Sequence, residues 1–413
     1  MLKSYFKIAI AVLKRRKFFT FISLFGISIT LAILMVITAF LDHMLAADYP
    51  DYKRDRTLYI LGMKQKNSKM GYISNSPASF YFLNTYVKTL KTPEKVGISS
   101  MPSFTNTYIN NKKLTLKIKY TNAEFWEILE FDFSQGKPFN DIQIQRGEYV
   151  AVITDETQKQ YFGDETEVVG KYIETDNIRY RVIGVVRGVP ITQFTSHADL
   201  YVPYTLPKSN YQNKEYRGNY MGIILARSRK DISKIKDEFA GMMKKVPVRS
   251  KEFDQLLCFP DLYLKIFTRQ IFSDGEENSG IAGFYIAVFI FLVLFMSLPT
   301  INLVNINISR IMERSSEIGV RKAFGASSGK LVMQFIVENI ILTLLGGIIG
   351  ILLSLIIIYM VNTSGWLPNA HLTMNMNVLM ISLVICLIFG FVSGVYPAWR
   401  MSRLHVVDAL KAS

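Results

Sequence analysis

Four apolar windows, at residues 18–41, 281–308, 331–361 and 378–397, constrain this chain more than any other feature. Each reaches the ~20 residues that an α-helix needs to cross ~30 Å of hydrocarbon. The first two windows contain no charged residue, and the third contains only Glu338. Within a bilayer, backbone N–H and C=O groups must be satisfied inside the segment, so such windows are read as helices. Hydrophobic residues make up 50% of the chain and charged residues 20%. The charged ones gather between the windows, most of them in residues 42–280. The expected fold is a membrane protein: four transmembrane α-helices with a large extracytoplasmic α+β domain inserted between the first and second spans.

Orientation follows from the placement of Lys and Arg, which favour the cytoplasmic side. Residues 1–17 carry Lys3, Lys7, Lys14, Arg15, Arg16 and Lys17 without an acid. Residues 309–330 carry Arg310, Arg314, Arg321, Lys322 and Lys330, and residues 398–413 carry Arg400, Arg403 and Lys411. The loop at 362–377 has neither Lys nor Arg. All three basic segments share one side only if both termini are cytoplasmic, which puts residues 42–280 and 362–377 outside. The net charge of +15 borders the spans, so anionic lipid headgroups are its expected partner rather than nucleic acid. The first window exceeds the 7–15 residues of a signal-peptide core, and cleavage there would strand the basic C-terminus outside.

Residues 42–280 mix helix and strand signals. Ser76-Pro77 is the expected start of a helix through Tyr81, Phe82, Tyr86 and Val87, and Asn122 is expected to cap a short helix bearing Phe125, Trp126 and Leu129. Residues 114–119 alternate as a strand, and residues 150–153, 180–186 and 200–202 are further strand candidates. Ile232, Ile235, Phe239 and Met242 mark one face of a helix over 231–245. Cys258 falls outside and Cys386 inside the last window, so no structural disulfide is expected.

No catalytic chemistry is legible. His43, His197, His371 and His405 lack partners at metal-ligand spacing, and no nucleophile elbow occurs. Gly325-Ala326-Ser327-Ser328-Gly329-Lys330 is one residue short of a phosphate loop, with Leu331 in place of the hydroxyl residue. The chain is therefore expected to be no enzyme and to bind no cofactor. Inside the windows, Asn302 and Asn305 share a helix face. Gly346, Gly350 and Ser354, and likewise Gly390 and Gly394, form small-residue stripes suited to close helix packing. Glu338 needs a polar partner, with Arg310 or an asparagine of the second span as candidates.

Glu313-Arg314-Ser315-Ser316-Glu317-Ile318-Gly319-Val320-Arg321-Lys322-Ala323-Phe324-Gly325-Ala326-Ser327 resembles the segment E-R-x-x-E-I-G-[VI]-R-[KR]-A-x-G-A-S of MacB/FtsX-type ABC permeases. Gly136-Lys137-Pro138-Phe139, the run from Val152 to Val186 and the ending from Gly394 to Lys411 are similar to that family as well. In the ending, Met401 and Val406 depart from the usual Ala and Pro. The resemblance implies a permease subunit in the bacterial inner membrane, working as a homo- or heterodimer. It implies that a cytoplasmic ABC ATP-binding subunit, holding ATP and Mg on its own chain, contacts Glu313, Arg314, Glu317, Gly319, Arg321 and Lys322. A periplasmic adaptor or envelope protein is a further partner of such systems. The implied work is ATP-driven movement of the external domain, to export a drug or peptide or to act on a lipoprotein. A membrane-anchored envelope sensor or scaffold without ATP coupling is the other reading that these features leave open.

Overall fold

The computed structural model describes residues 17–109, 112–250, 252–272, 278–313 and 327–366, most of 371–388, and isolated residues besides. Two compact units are present: Met44–Tyr285 with Leu367–Ala370, and a second built from the segments on either side.

The first unit holds a ten-stranded mixed sheet ordered β1-β12-β4-β6-β11-β8-β10-β7, with β5 on β6 and β9 on β10. Its strands are β1 (Thr57–Ile60), β4 (Lys95–Ser100), β5 (Ser103–Ile109), β6 (Lys112–Thr121), β7 (Phe133–Gly136), β8 (Val150–Thr154), β9 (Tyr172–Thr175), β10 (Ile178–Val186), β11 (Leu200–Pro203) and β12 (Tyr220–Leu225). A smaller antiparallel sheet pairs β13 (Gln255–Cys258), β2 (Met63–Asn67) and β3 (Tyr72–Ser76). Strands β1, β8, β11 and β12 are buried at every residue, although β1 lies at the edge of the sheet. Both faces of the large sheet must therefore be covered, and a continuous apolar run suits that better than alternation.

Two cores result. Leu58, Ile60, Ala151, Ile153 and Ile224 point to one, with Phe82 and Leu83 of α2 (Phe80–Thr85) and Ile235 and Phe239 of α6 (Asp231–Met243). Tyr59, Val150, Val152, Met221 and Ile223 point to the other, with Phe125 and Trp126 of α3 (Ala123–Ile128) and Tyr263 and Ile266 of α7 (Tyr263–Phe272). Two short helices, α4 (Asp141–Gln145) and α5 (Asp155–Phe162), complete the unit.

Asn122 caps α3 by accepting from Phe125 N at 3.2 Å. The helix expected from Ser76-Pro77 starts later. Ser76 pairs with Met63, and Ala78 bridges to Tyr220. These pairings keep residues 76–78 extended, so Ser79 becomes the cap, accepting from Phe82 N at 3.0 Å.

Strand β10 changes phase midway. Tyr180 and Val182 face the first core, Ile183 the second and Val185 the first again. The register against β8 shifts between Val182 and Gly184, and a bulge of this kind exchanges the faces of all later residues. Gly184 pairs with Gly136 of β7. A Cβ on Gly136 would lie 2.0 Å from Ile183 O, and one on Gly184 would lie 2.9 Å from Lys137 O. The Gly136-Lys137 turn and the Ile183-Gly184 step thus form a single close backbone crossing.

The second unit contains α1 (Lys17–Leu45), most of α8 (Ile281–Glu313) and α9 (Ser328–Thr363). Among the described residues, Lys17–Leu45 and Val332–Thr363 are long and apolar enough to cross a membrane, and Ile281–Phe295 is a shorter apolar stretch. Half of the fourth window, 378–397, falls outside the described residues.

Gly136→Ala is expected to destabilise the chain by about 3 kcal/mol or more, since Gly136 combines a φ of +65° with the backbone clash. Gly147→Ala, at a φ of +62° with open space around it, should lose only about 1–2 kcal/mol. Thermal unfolding followed by near-UV circular dichroism separates the two.

Candidate functional site

In the helical unit, α1 and α9 meet at a seam of small residues. Ser28 Oγ donates to Leu24 O at 2.6 Å and to Gly346 O at 3.0 Å. A Cβ on Gly346 would lie 2.8 Å from Ile27 Cγ2, and one on Gly350 would lie 2.9 Å from Ser28 O. The backbones are as close as glycine allows, the usual basis of helix packing where no hydrophobic drive exists. Larger groups lock the seam on either side: Leu24 with Ile341 and Leu342, and Leu31 and Met35 with Ile351. Ser354 is fully buried, its hydroxyl bonded to Ile351 O at 2.7 Å.

Glu338 is buried in α9 and accepts from Gln334 Nε2 at 3.0 Å, a partner one turn away on its own helix. Asn339 and Thr343 extend this buried polar stripe, with Thr343 Oγ1 donating to Asn339 O. Asn302 and Asn305 lie in α8, where Asn305 is exposed. Glu313 ends that helix. Arg314, Glu317, Gly319, Arg321, Lys322, Gly390 and Gly394 lie outside the described residues.

A second constellation forms where the chain leaves α1 and enters the sheet unit. Arg54 and Asp51, both nearly fully buried, pair at 2.9 Å between Nε and Oδ2. Arg54 Nη1 donates to Ala46 O at 2.5 Å and to Met44 O at 3.4 Å. Its Nη2 bonds Gln193 Oε1, and the guanidinium stacks 3.8 Å above the Tyr263 ring. A cation facing the last carbonyls of a helix suits the helix dipole. Tyr59 of β1 donates to the same Asp51 oxygen. The next step of the chain at β1 is tied too: Tyr59 and Asp261 exchange backbone bonds at 2.8 and 3.0 Å, and Asp261 holds Arg269 of α7. Strand β1 therefore anchors both the segment that follows α1 and the segment that precedes α8.

Electrostatics match this burial. Burial alone would lower the Arg54 pKa, but the Asp51 carboxylate outweighs it and the guanidinium is held above its ordinary value. Burial, then Asp51, pushes the Tyr59 phenol well above the usual range. Burial pushes the Cys258 thiol up to about 12, leaving it inert. Lys119 of β6 is fully buried beside the Phe194 and Thr195 carbonyls, and burial lowers its amine to about 7. Lys117 Nζ, on the same strand, lies 3.1 Å from His197 Nε2.

None of Asp51, Arg54, Gln193, Tyr263 or Lys119 stands out by sequence reasoning. The i,i+3 spacing of Asp51 and Arg54 was the one local signal. Among the described residues, no group of three His, Cys, Asp or Glu could hold a metal.

Residues 20–241 match the MacB-like periplasmic core domain, and residues 289–406 match the FtsX-like permease C-terminal domain. The macrolide export ATP-binding/permease protein MacB of Salmonella typhimurium is 25% identical over 338 residues, covering 79% of this chain and 49% of its own length. The protein of that name from Escherichia coli K12 is 26% identical over 303 residues, covering 73% and 44%. The chain thus spans about half the length of the curated relatives it matches. Of the solved structures, the periplasmic region of MacB from Actinobacillus actinomycetemcomitans aligns over 51% of this chain and 92% of its own, at 15% identity and a TM-score of 0.37. A permease-protein domain from Porphyromonas gingivalis aligns over 52% and 92%, at 16% and 0.41.

Gly350→Leu should force α1 and α9 apart and lower the thermal midpoint of the detergent-solubilised chain by several degrees, since overpacking costs about 1–3 kcal/mol or more. Leu352→Ala, at a half-exposed position of the same helix, should leave it nearly unchanged. Equal effects would show the seam to be tolerant.

The lowered Lys119 pKa has a defined sign in stability. Between about 7 and its ordinary 10.5, the unfolded chain binds the proton and the folded chain does not, so this group makes stability rise with pH. Melting midpoints of wild type and Lys119→Met, compared from pH 7 to 9, should show that rise in the wild type and a flatter profile in the variant.

Proposed function

Because this chain belongs to the family of permeases that joins a MacB-like periplasmic core domain to an FtsX-like permease domain, we propose that it is the permease subunit of an ABC-type system that transmits movement from the cytoplasm to its external unit. The observation that carries this reading is the order of the two family matches: the first covers most of the sheet unit, and the second covers helices of the other. In this reading, both termini are cytoplasmic and four helices span the inner membrane. Asn369, in the 362–377 loop, donates to Glu156 Oε2 at 3.3 Å within the sheet unit. That contact favours a shared side for the loop and the large domain.

The ATPase acts on a partner chain, and this chain supplies geometry. Glu313, Arg314, Glu317, Gly319, Arg321 and Lys322 receive the cytoplasmic ATP-binding subunit. Glu313 and Glu317 are like charges at i,i+4, unfavourable on a helix by a few tenths of a kcal/mol and unsuited to an anionic lipid surface. A cationic partner surface accounts for them better. The loop joins α8 to α9, and the tight α1–α9 seam makes these two helices move as one. Beyond α1, the chain runs directly into the Arg54 constellation, which grips the edge strand β1. The exposed apolar side chains of α8, such as Phe289 and Leu294, are suited to lipid or to a second permease subunit. The proposed cargo is a drug, peptide or lipoprotein, with a periplasmic adaptor or envelope protein as the further partner.

The test is purification of the tagged full chain from its native membrane. The expected result is stoichiometric recovery of an ATP-binding subunit, lost in Glu317→Lys while the thermal midpoint of the chain is unchanged. Absence of any ATP-binding subunit under every extraction condition would favour the sensor or scaffold reading instead.

A further inference from the structure

A cleft with room for about 570 Å³ opens in the sheet unit between the 213–218 segment and the small sheet, and two arginines face it from different elements. Arg217 follows Tyr216, whose ring packs with those of Tyr81, Phe82 and Tyr86, and its backbone is fixed by a bridge to Ala78. Behind it, a Cβ on Gly218 would lie 2.6 Å from Ser79 Cα, so the segment cannot shift inward. Arg217 Nε donates to Ser76 Oγ at 3.1 Å, which orients the guanidinium and leaves its two terminal nitrogens unengaged among the described residues.

Arg249 arrives from the segment after α6. Its guanidinium lies 4.8 Å from the centre of the Tyr216 ring and 5.3 Å from that of Tyr81. Nη2 donates to Tyr81 Oη at 3.1 Å and Nη1 to Lys214 O at 3.2 Å. Stacking with two hydrogen bonds pre-orients this exposed guanidinium as a fork. Neither arginine has a carboxylate partner among the described residues. Glu215 is the one acid on the lining, and Gln65, Asn213 and Ser250 add polar groups.

We propose that this cleft is a binding site for a phosphate group, held between the Arg217 and Arg249 guanidiniums with the Tyr216 ring as its wall. Two forks approaching from separate elements offer more donors than one carboxylate accepts in a plane, whereas a phosphate presents oxygens in several directions. The phosphate could be free or carried on a lipid-type headgroup. The assignment does not depend on the transport reading: it would stand for a sensor as well as for a permease.

The experiment uses the full chain in phosphatidylcholine nanodiscs, titrated with inorganic phosphate, with glycerol 3-phosphate and with acetate, and followed by isothermal calorimetry. Saturable binding of either phosphate is expected, weakening as salt rises. Arg217→Gln and Arg249→Lys should each lower that affinity about tenfold or more, the loss expected for a charge-assisted hydrogen bond. Arg146→Gln, at an exposed position away from the cleft, should leave affinity unchanged, and thermal unfolding checks that all variants fold. Tighter binding of glycerol 3-phosphate supports a headgroup source, and tighter binding of inorganic phosphate supports a free one. The proposal is overturned if neither phosphate binds, if acetate binds equally well, or if both cleft variants bind phosphate like the wild type.

Discussion

The buried ion pair of Asp51 and Arg54 stands where the polypeptide stops being a long apolar helix and becomes a sheet. Removing two charges from water costs several kcal/mol for each ion, and only good geometry with further hydrogen bonds offsets it. Here the offset comes from the Ala46 and Met44 carbonyls, Gln193, the Tyr59 hydroxyl and the face of Tyr263, while Asp51 Oδ1 is buried without a hydrogen-bond partner among the described residues. Losing one partner would leave the other charge stranded, a loss of about 3–5 kcal/mol. The arrangement is demanding, and it concentrates at one point the ties among the α1 exit, strand β1, the 187–199 loop and α7.

That loop shows how much else rests on the same spot. Besides Gln193, it offers the Phe194 and Thr195 carbonyls to the buried Lys119 amine. It offers Ser196 O to Tyr201 Oη at 2.8 Å, and the Phe194 ring to Tyr263 and Phe267. A backbone segment buried this deeply has to satisfy its polar groups internally. Long side chains from β6, β11 and the 44–54 segment do so. Order at the base of the sheet unit is thus a by-product of polar satisfaction.

The two units illustrate two solutions to packing. The sheet unit fills its faces with large aromatics, with Trp126 packed among Phe125, Phe131, Phe139 and Tyr201, because burying such area from water is strongly favourable. The helical unit instead brings backbones together at Gly346 and Gly350 and bonds a serine hydroxyl to a carbonyl across the seam. Among lipid tails, close van der Waals contact and hydrogen bonds are what distinguish one helix face from another.

By itself, the sequence determined that the chain carries long apolar stretches, where four strands of the sheet unit run (β6, β8, β10 and β11), and to which family the chain belongs. These follow from local quantities: a run of apolar residues, an alternation, a motif of adjacent residues. The late start of α2 escaped it because Ser76-Pro77 is a sound local cap signal, overridden by strand pairing of Ser76 to Met63 and by the bridge from Ala78 to the distant Tyr220. The phase change of β10 was hidden as well, since a bulge leaves no mark in a β-branched run other than Gly184. Only the tertiary structure decided which groups meet: Ser28 with Gly346, 318 residues apart, and Arg54 with Gln193, 139 apart. Such contacts depend on the register and depth at which whole elements pack, and no periodicity within a single element encodes either.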